Sequence, residues 1–193
     1  MRKIKMIFLA GIVCLLCGCT NRLEVCRDLL KQGKYAEAEA VFREEITESV
    51  QIQENMDDER KAADAKVREA EARRGLGIVL YERQKYEEAA AELKKVLELE
   101  GKETPAIYNL IGVCAMNLKD YDGAIEAFSA GIALPASEDQ EEANLVREMS
   151  YNLVICYEKK KDWAGAREAA RAYAEAYPQD KEMQKELEFL ETR

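Results

Sequence analysis

The sequence predicts an all-α fold in which pairs of helices stack into a solenoid closed by a C-terminal capping helix. Helix-forming Ala, Glu, Lys, Arg and Leu dominate the 193 residues, and only three prolines occur. No sustained alternation of apolar and polar residues indicates a strand. Four short phrases recur along the chain, which is the sequence signature of stacked repeats that bury their apolar faces against their neighbours.

The first segment is typical of a secretory signal. Residues 1–5 carry three basic side chains and no acid, and residues 6–17 contain no charged side chain. A helix needs about 20 apolar residues to cross a bilayer, so this run is short for a permanent span. Its length and its basic flank fit the apolar region of a signal peptide.

Leu16-Cys17-Gly18-Cys19 closes this segment and resembles the lipobox of bacterial lipoproteins. The resemblance implies that residues 1–18 are a signal peptide and that Cys19 carries a covalent diacylglycerol lipid; we expect no other cofactor. The protein would then be anchored to a cell membrane on its extracytoplasmic face, facing the periplasm in a two-membrane cell. An uncleaved anchor is the alternative.

Two cysteines in the signal, Cys14 and Cys17, form a C-x-x-C pair. A redox or zinc site there is disfavoured, because both thiols lie in an apolar run and the chain has no histidine to complete a ligand set. We therefore expect no metal site.

The recurring phrases share an aromatic residue three positions before an alanine. They are GKYAEAEAVF from Gly33, QKYEEAAAEL from Gln84, KDYDGAIEAF from Lys119 and KDWAGAREAA from Lys161. Each follows a segment with apolar residues at helical spacing, such as YNLIGVCA from Tyr108 to Ala115. These features resemble the tetratricopeptide repeat, a helix-turn-helix unit of about 34 residues.

The resemblance implies a right-handed α-solenoid of about four repeats. We place the units at about 20–53, 56–103, 105–136 and 138–178, with the capping helix at 180–193. The aromatic markers lie farther apart than the family period between the first and second units and between the third and fourth. We interpret the first excess as an extended helix capped by Asn55, with Ala63, Val67 and Ala70 on one face, and the second as a helix opened by a capping box at Ser137. A disordered linker is the alternative for either segment.

Composition excludes several functional classes. Without histidine no Ser/His/Asp or Cys/His set is possible, and no glycine-rich phosphate loop occurs, so we predict a binding protein with no catalytic residue. The net charge is −9, and loss of residues 1–18 would remove three basic residues and no acid, giving −12. This acidity argues against a nucleic-acid partner. Cys26, Cys114 and Cys156 are expected to be buried small side chains and not disulfide partners.

The family resemblance also implies where a partner binds. In tetratricopeptide repeat proteins the first helix of each unit lines a concave groove, and an alignment of the units carries this surface over to ten residues. They are Arg27, Leu30, Arg74, Ile78, Tyr81, Asn109, Val113, Met116, Tyr151 and Ile155. The floor is apolar, which suits an extended peptide or an amphipathic helix.

The sequence therefore predicts a lipid-anchored scaffold or assembly factor that binds an unidentified envelope protein or peptide in this groove. The alternative is an accessory domain of an envelope enzyme or transporter complex, with the groove filled by the protein's own C-terminal helix.

Overall fold

The computed structural model describes residues 22–55, 57–100, 103–135 and 138–193. These residues form nine helices and no strand. The helices are α1 (Arg22–Lys31), α2 (Tyr35–Asn55), α3 (Glu59–Glu82), α4 (Tyr86–Glu100), α5 (Pro105–Asn117), α6 (Tyr121–Ile132), α7 (Gln140–Lys160), α8 (Trp163–Ala176) and α9 (Lys181–Glu191). The all-α solenoid that the sequence predicts is confirmed. The predicted signal peptide and the predicted lipidation site Cys19 lie outside the described residues.

Most helices begin at a side chain that caps free backbone N–H groups. Asp58 accepts hydrogen bonds from the backbone N–H groups of Arg60 and Lys61, and Thr104 caps α5 ahead of Pro105. Aspartates cap α6, α7, α8 and α9 in the same way. This explains why acidic residues cluster just before the helices.

Two predicted helix starts are wrong in detail. Asn55 is the last residue of α2 and does not cap α3, which begins after Asp58. The helix α7 is capped by Asp139, whose carboxylate accepts from the N–H groups of Glu141 and Glu142, and not by a capping box at Ser137. In both cases an aspartate two or three residues downstream reaches the free N–H groups.

The turn between the two helices of a unit is the same four times. One residue has a positive φ, namely Gly33, Gln84, Lys119 and Lys161 in the four units. In each turn the next residue's N–H donates to a carbonyl five residues back, as Lys34 does to Leu29 and Asp120 to Ala115. The recurring phrases therefore encode one repeated turn, and only the first copy uses glycine for the left-handed conformation.

Close contact between the helices of a unit depends on small residues. The alanines that follow the aromatic markers, Ala38, Ala89, Ala124 and Ala166, are all fully buried. A Cβ added at Gly77 would lie 2.7 Å from the Leu93 side chain, and one added at Gly112 would lie 2.3 Å from the Phe128 ring. Leu93 and Phe128 can be fully buried because these glycines leave room for them.

Each helix packs against the next along the chain, and α1, α3, α5 and α7 also contact one another in order. The buried clusters cross unit boundaries: the first joins Cys26 and Phe42 to Leu76 and also includes Cys114 of the third unit. No unit buries its apolar face alone, which is the packing expected of a solenoid. Within the described residues no helix is long and apolar enough to cross a membrane.

The extra length between the first two units is helical. The helix α3 has 24 residues, and its N-terminal half packs against α2, where Gln53 donates to Glu69 at 2.8 Å and Glu45 lies 3.6 Å from Arg68. Val67 is 58% exposed, so the predicted apolar face through Ala63, Val67 and Ala70 is wrong except for the buried Ala70. The buried face of α3 is shifted to Ala65, Ala72 and Leu76, of which Ala72 and Leu76 lie in one cluster with Phe42 of α2.

The last helix, α9, covers the end of the stack. Met183 and Leu190 are buried in a cluster with Val154 of α7 and Ala170 of α8. The residues with which α9 packs belong to the fourth unit. In the predicted floor, Val113 packs in the cluster around Phe128 and Ile78 lines a pocket beside α1. The predicted alternative of a groove filled by the C-terminal helix is therefore wrong.

The three described cysteines are free and buried, as predicted. Burial raises the pKa of the Cys26, Cys114 and Cys156 thiols to about 11, with a further contribution from Glu45 at Cys26. They are packing residues, since a protonated buried thiol is a poor nucleophile.

Candidate binding groove

The candidate site is the concave groove formed by the first helices of the four units, α1, α3, α5 and α7. These helices form one continuous layer, because each contacts the next. The repeated turn places the second helices behind them, so residues at equivalent positions of the first helices fall side by side.

Four of the predicted residues meet in one pocket between α1 and α3. Arg27, Leu30, Arg74 and Ile78 line a cavity of about 270 Å³. Two basic side chains face an apolar floor there, with Glu71 as the one acid in the lining. The formal charges of the lining side chains sum to +1, in a chain whose net charge is −9.

The floor of this pocket contains residues that the sequence prediction missed. Leu23, Phe42, Glu71 and Gly75 also line the cavity. A Cβ at Gly75 would lie 2.2 Å from the Phe42 ring, so the glycine lets a side chain of α2 reach the base of the groove. The sequence does contain an indication of this contact. Gly75 lies two residues before the packing glycine Gly77, and the repeat pattern does not require a second glycine there.

The middle of the groove is formed by α3 and α5. Tyr81 is half-buried and stacks edge-on against Tyr86, with ring centroids 5.7 Å apart. Burial raises the pKa of the Tyr81 hydroxyl, and the charges of Tyr86, Cys114, Glu82 and Glu148 add to this effect. Tyr81 also packs against the buried cluster that contains Cys114 of α5.

Asn109 is the polar residue of the floor. It is 7% exposed, and its Oδ1 atom is buried without a hydrogen-bond partner. A buried amide oxygen without a donor costs about 1–3 kcal/mol relative to a paired one.

The other four predicted residues lie farther along α5 and α7. Val113 and Met116 are half-buried and pack against the cluster around Phe128. They therefore belong to the floor of the groove and expose little surface to a ligand. Tyr151 is 41% exposed and lies 6.0 Å from the Tyr173 ring, and Ile155 is half-buried.

The far end of the groove is acidic. Glu158 on α7 interacts with Glu186 on α9, and its pKa is raised to about 7 by burial first and then by the hydrogen bond and the negative charge of Glu186. Lys159 opposes this only weakly. The groove therefore has basic side chains, Arg27 and Arg74, at its α1 end and acidic side chains, Glu158 and Glu186, at its α9 end. Nothing in the repeat pattern indicated Glu186.

The described side chains include no group of three or more Cys, Asp or Glu residues placed to hold a metal ion. Within the described residues, the arrangement therefore supports recognition of a ligand by apolar contact, hydrogen bonding and charge.

Comparison with known proteins agrees with this architecture. The tetratricopeptide repeat family model matches residues 27–101, 74–141 and 141–181. The fold and the groove are those of an α-solenoid, a class of protein that forms interaction scaffolds. The chain belongs to the tetratricopeptide repeat family.

Solved structures with the same fold include three informative neighbours. The MamA fragment 41-end from Desulfovibrio magneticus RS-1 has a TM-score of 0.61 at 18% identity, covering 90% of this chain and 86% of that chain. A second MamA structure has a TM-score of 0.63 at 16% identity, covering 88% of this chain and 78% of that chain. YrrB, described as a TPR protein with an unusual peptide-binding site, has a TM-score of 0.58 at 17% identity, covering 84% and 70%. At these identities the likeness concerns the fold. No curated protein sequence matches the chain.

Proposed function

We propose that this protein is a membrane-anchored, extracytoplasmic scaffold or assembly factor that binds a segment of an envelope protein in the concave groove. The observation that carries the proposal is the pocket between α1 and α3, in which Arg27 and Arg74 flank the apolar side chains of Leu30 and Ile78. Such a site holds an apolar side chain and orients a neighbouring acidic group.

We propose an extended peptide as the form of the ligand. YrrB, which shares the fold, is described as having a peptide-binding site, and this agrees with the proposal.

The membrane location is supported by the sequence of residues 1–19. The basic start, the short apolar run and Leu16-Cys17-Gly18-Cys19 together favour a lipoprotein signal with lipid on Cys19. We propose no catalytic role and no cofactor besides this lipid.

The groove is tested by affinity capture from crosslinked cells followed by mass spectrometry. Ile78→Glu places a charge on the half-buried floor and should reduce recovery of the partner at least tenfold, while Ala164→Glu, at an exposed position of α8, should not. Circular dichroism must show that both variants stay helical. Undiminished capture by a folded Ile78→Glu variant would reject the groove as the binding site.

A further inference from the structure

A second groove lies between the second helices of the middle units, α4 and α6, with α5 as its floor. Ile111 and Ala115 of α5 form the floor. Successive residues of a helix are rotated by about 100°, so these two side chains are on the opposite side of α5 from Asn109, Val113 and Met116. This groove, which we call the alanine groove, is therefore separated from the concave groove by the full thickness of α5.

The walls of the alanine groove are made of small side chains. Ala90 and Ala91 of α4 face Ala127 and Ala130 of α6 across a cavity of about 550 Å³. Leu97 lies at one end, and Leu118, which is 41% exposed, lies near the other. The lining of α4 runs from residue 87 to residue 97, which is about 15 Å of helix at 1.5 Å per residue.

The neighbouring gap between α2 and α4 is bridged, in contrast to the alanine groove. Arg43 of α2 pairs with Glu88 of α4 at 3.2 Å, and Lys85, just before α4, lies 3.6 Å from Glu39 of α2. Among the described side chains, none of the hydrogen bonds or ion pairs joins α4 to α6. The alanine groove is therefore left open while the adjacent gap is closed by charged side chains.

The lining favours a helix as the occupant over an extended chain. An extended segment would bury backbone N–H and C=O groups against alanine and leucine side chains, which cannot pair with them. A helix satisfies its own backbone groups. The lining residues of α4 and α6 also recur at spacings of three and four, so the ridges of a third helix can pack between them, and small side chains allow a close approach.

The charged side chains at the edge of the alanine groove indicate the charge of the helix that would bind there. Glu87, Asp120 and Glu126 lie at the edges of the groove, against Lys94 as the one basic lining residue. A helix with lysine or arginine on its flanks would complement this rim. A second copy of the chain would not, because both copies carry a net charge of −9.

From this geometry we propose that the alanine groove is a second docking site, which binds a basic amphipathic helix of a partner protein. The helix lies between α4 and α6, presents about three turns of apolar side chains to the floor, and places its basic side chains against Glu87 and Glu126. The protein then engages two segments at once, an extended one in the concave groove and a helical one in the alanine groove.

The test uses the full-length chain and fluorescein-labelled synthetic peptides of about 18 residues, long enough to form a helix. The first peptide carries leucines at i, i+4, i+7 and i+11 with lysines on both flanks. The second has glutamate in place of every lysine, and the third has a central proline that breaks the helix. Fluorescence anisotropy should give saturable binding of the lysine peptide, about fivefold or more weaker binding of the glutamate peptide, and at least tenfold weaker binding of the proline peptide.

Variants locate the bound peptide. Ala91→Trp and, independently, Ala130→Trp fill the groove and should weaken binding of the lysine peptide at least tenfold. Ala164→Trp, at an exposed alanine of α8, is the matched control and should change binding less than about twofold. The double variant Glu87→Lys and Glu126→Lys should reverse the preference between the lysine and glutamate peptides. Circular dichroism establishes that each variant is folded.

Several results would overturn the proposal. Absence of saturable binding up to about 1 mM of the lysine peptide would do so, as would unchanged binding by folded Ala91→Trp and Ala130→Trp variants. Loss of binding in Ile78→Glu with retention in Ala91→Trp would place the peptide in the concave groove. A dimer in analytical ultracentrifugation that Ala91→Trp dissociates would identify the occupant as a second copy of the chain.

Discussion

The contact between Gly112 and Phe128 offers a direct test of how each unit is held together. Gly112 lies on α5, and the Phe128 ring of α6 rests on its Cα. A methyl group added in Gly112→Ala would come within 2.3, 2.6 and 2.7 Å of three ring atoms. Real Cβ contacts are not this short, so either the ring or the helix must move.

The size of the effect follows from two opposing contributions. Alanine is favoured over glycine inside a helix by about 1 kcal/mol, which would stabilise the variant. Overpacking in a filled core costs about 1–3 kcal/mol, and the upper part of this range applies because Phe128 is fully buried among Ala124, Met149 and Cys156. We expect Gly112→Ala to lower the free energy of unfolding by about 2 kcal/mol, or the Tm by about 4–8 °C.

Urea unfolding followed by circular dichroism measures the change. The paired variant Phe128→Leu removes the ring that the new methyl group would meet, so the double variant should be more stable than the sum of the single changes predicts, by at least about 1 kcal/mol. Strict additivity, or stabilisation by Gly112→Ala alone, would refute the close-contact explanation.

Three further predictions concern charge and the membrane. Because the pKa of Glu158 is raised, the folded state binds more protons than the unfolded state between the ordinary carboxyl pKa and about pH 7, and stability is lost as pH rises through that window. Glu158→Gln should therefore stabilise the protein by about 1 kcal/mol at pH 8 but not at pH 4, as measured by thermal scans. The control is Glu168→Gln at an exposed position, which should not change stability at either pH. Arg73→Met leaves the buried Glu69 without its cation, while Glu92 keeps Lys95 at 3.0 Å; the change should cost about 3 kcal/mol in urea unfolding, and a loss below about 1 kcal/mol would contradict the buried Arg73–Glu69 pair at 2.7 Å. Cys19→Ala should move the protein from the membrane pellet to the soluble fraction, and continued membrane attachment would contradict the predicted lipid anchor.

The sequence predicted the repeated parts of the fold well because their physical causes are local. The aromatic and alanine of each phrase recur at a fixed spacing, and the alanines Ala38, Ala89, Ala124 and Ala166 are buried as that spacing requires. The groove residues of α1 and α3 meet in one pocket because equivalent positions on stacked helices fall side by side.

The sequence predicted less well where contacts join distant residues. Nothing local distinguishes Asn55 from Asp58 as a cap, because both side chains can accept from free N–H groups and the choice depends on where α2 ends. Val67 has the spacing of a buried residue, but the face of α3 that contacts α2 is set by packing between the two helices. Phe42 reaches the groove only because Gly75 lies opposite it.

The central claim is that the concave groove holds a partner, and photo-crosslinking in cells tests it most directly. Tyr151 is one of the predicted groove residues and is 41% exposed, so benzoylphenylalanine can replace it at the surface. The crosslinker at Tyr151 should form an adduct with another protein, and the same crosslinker at Ala164, on the exposed face of α8, should not. Absence of an adduct at Tyr151, or the same adducts at both positions, would contradict the claim.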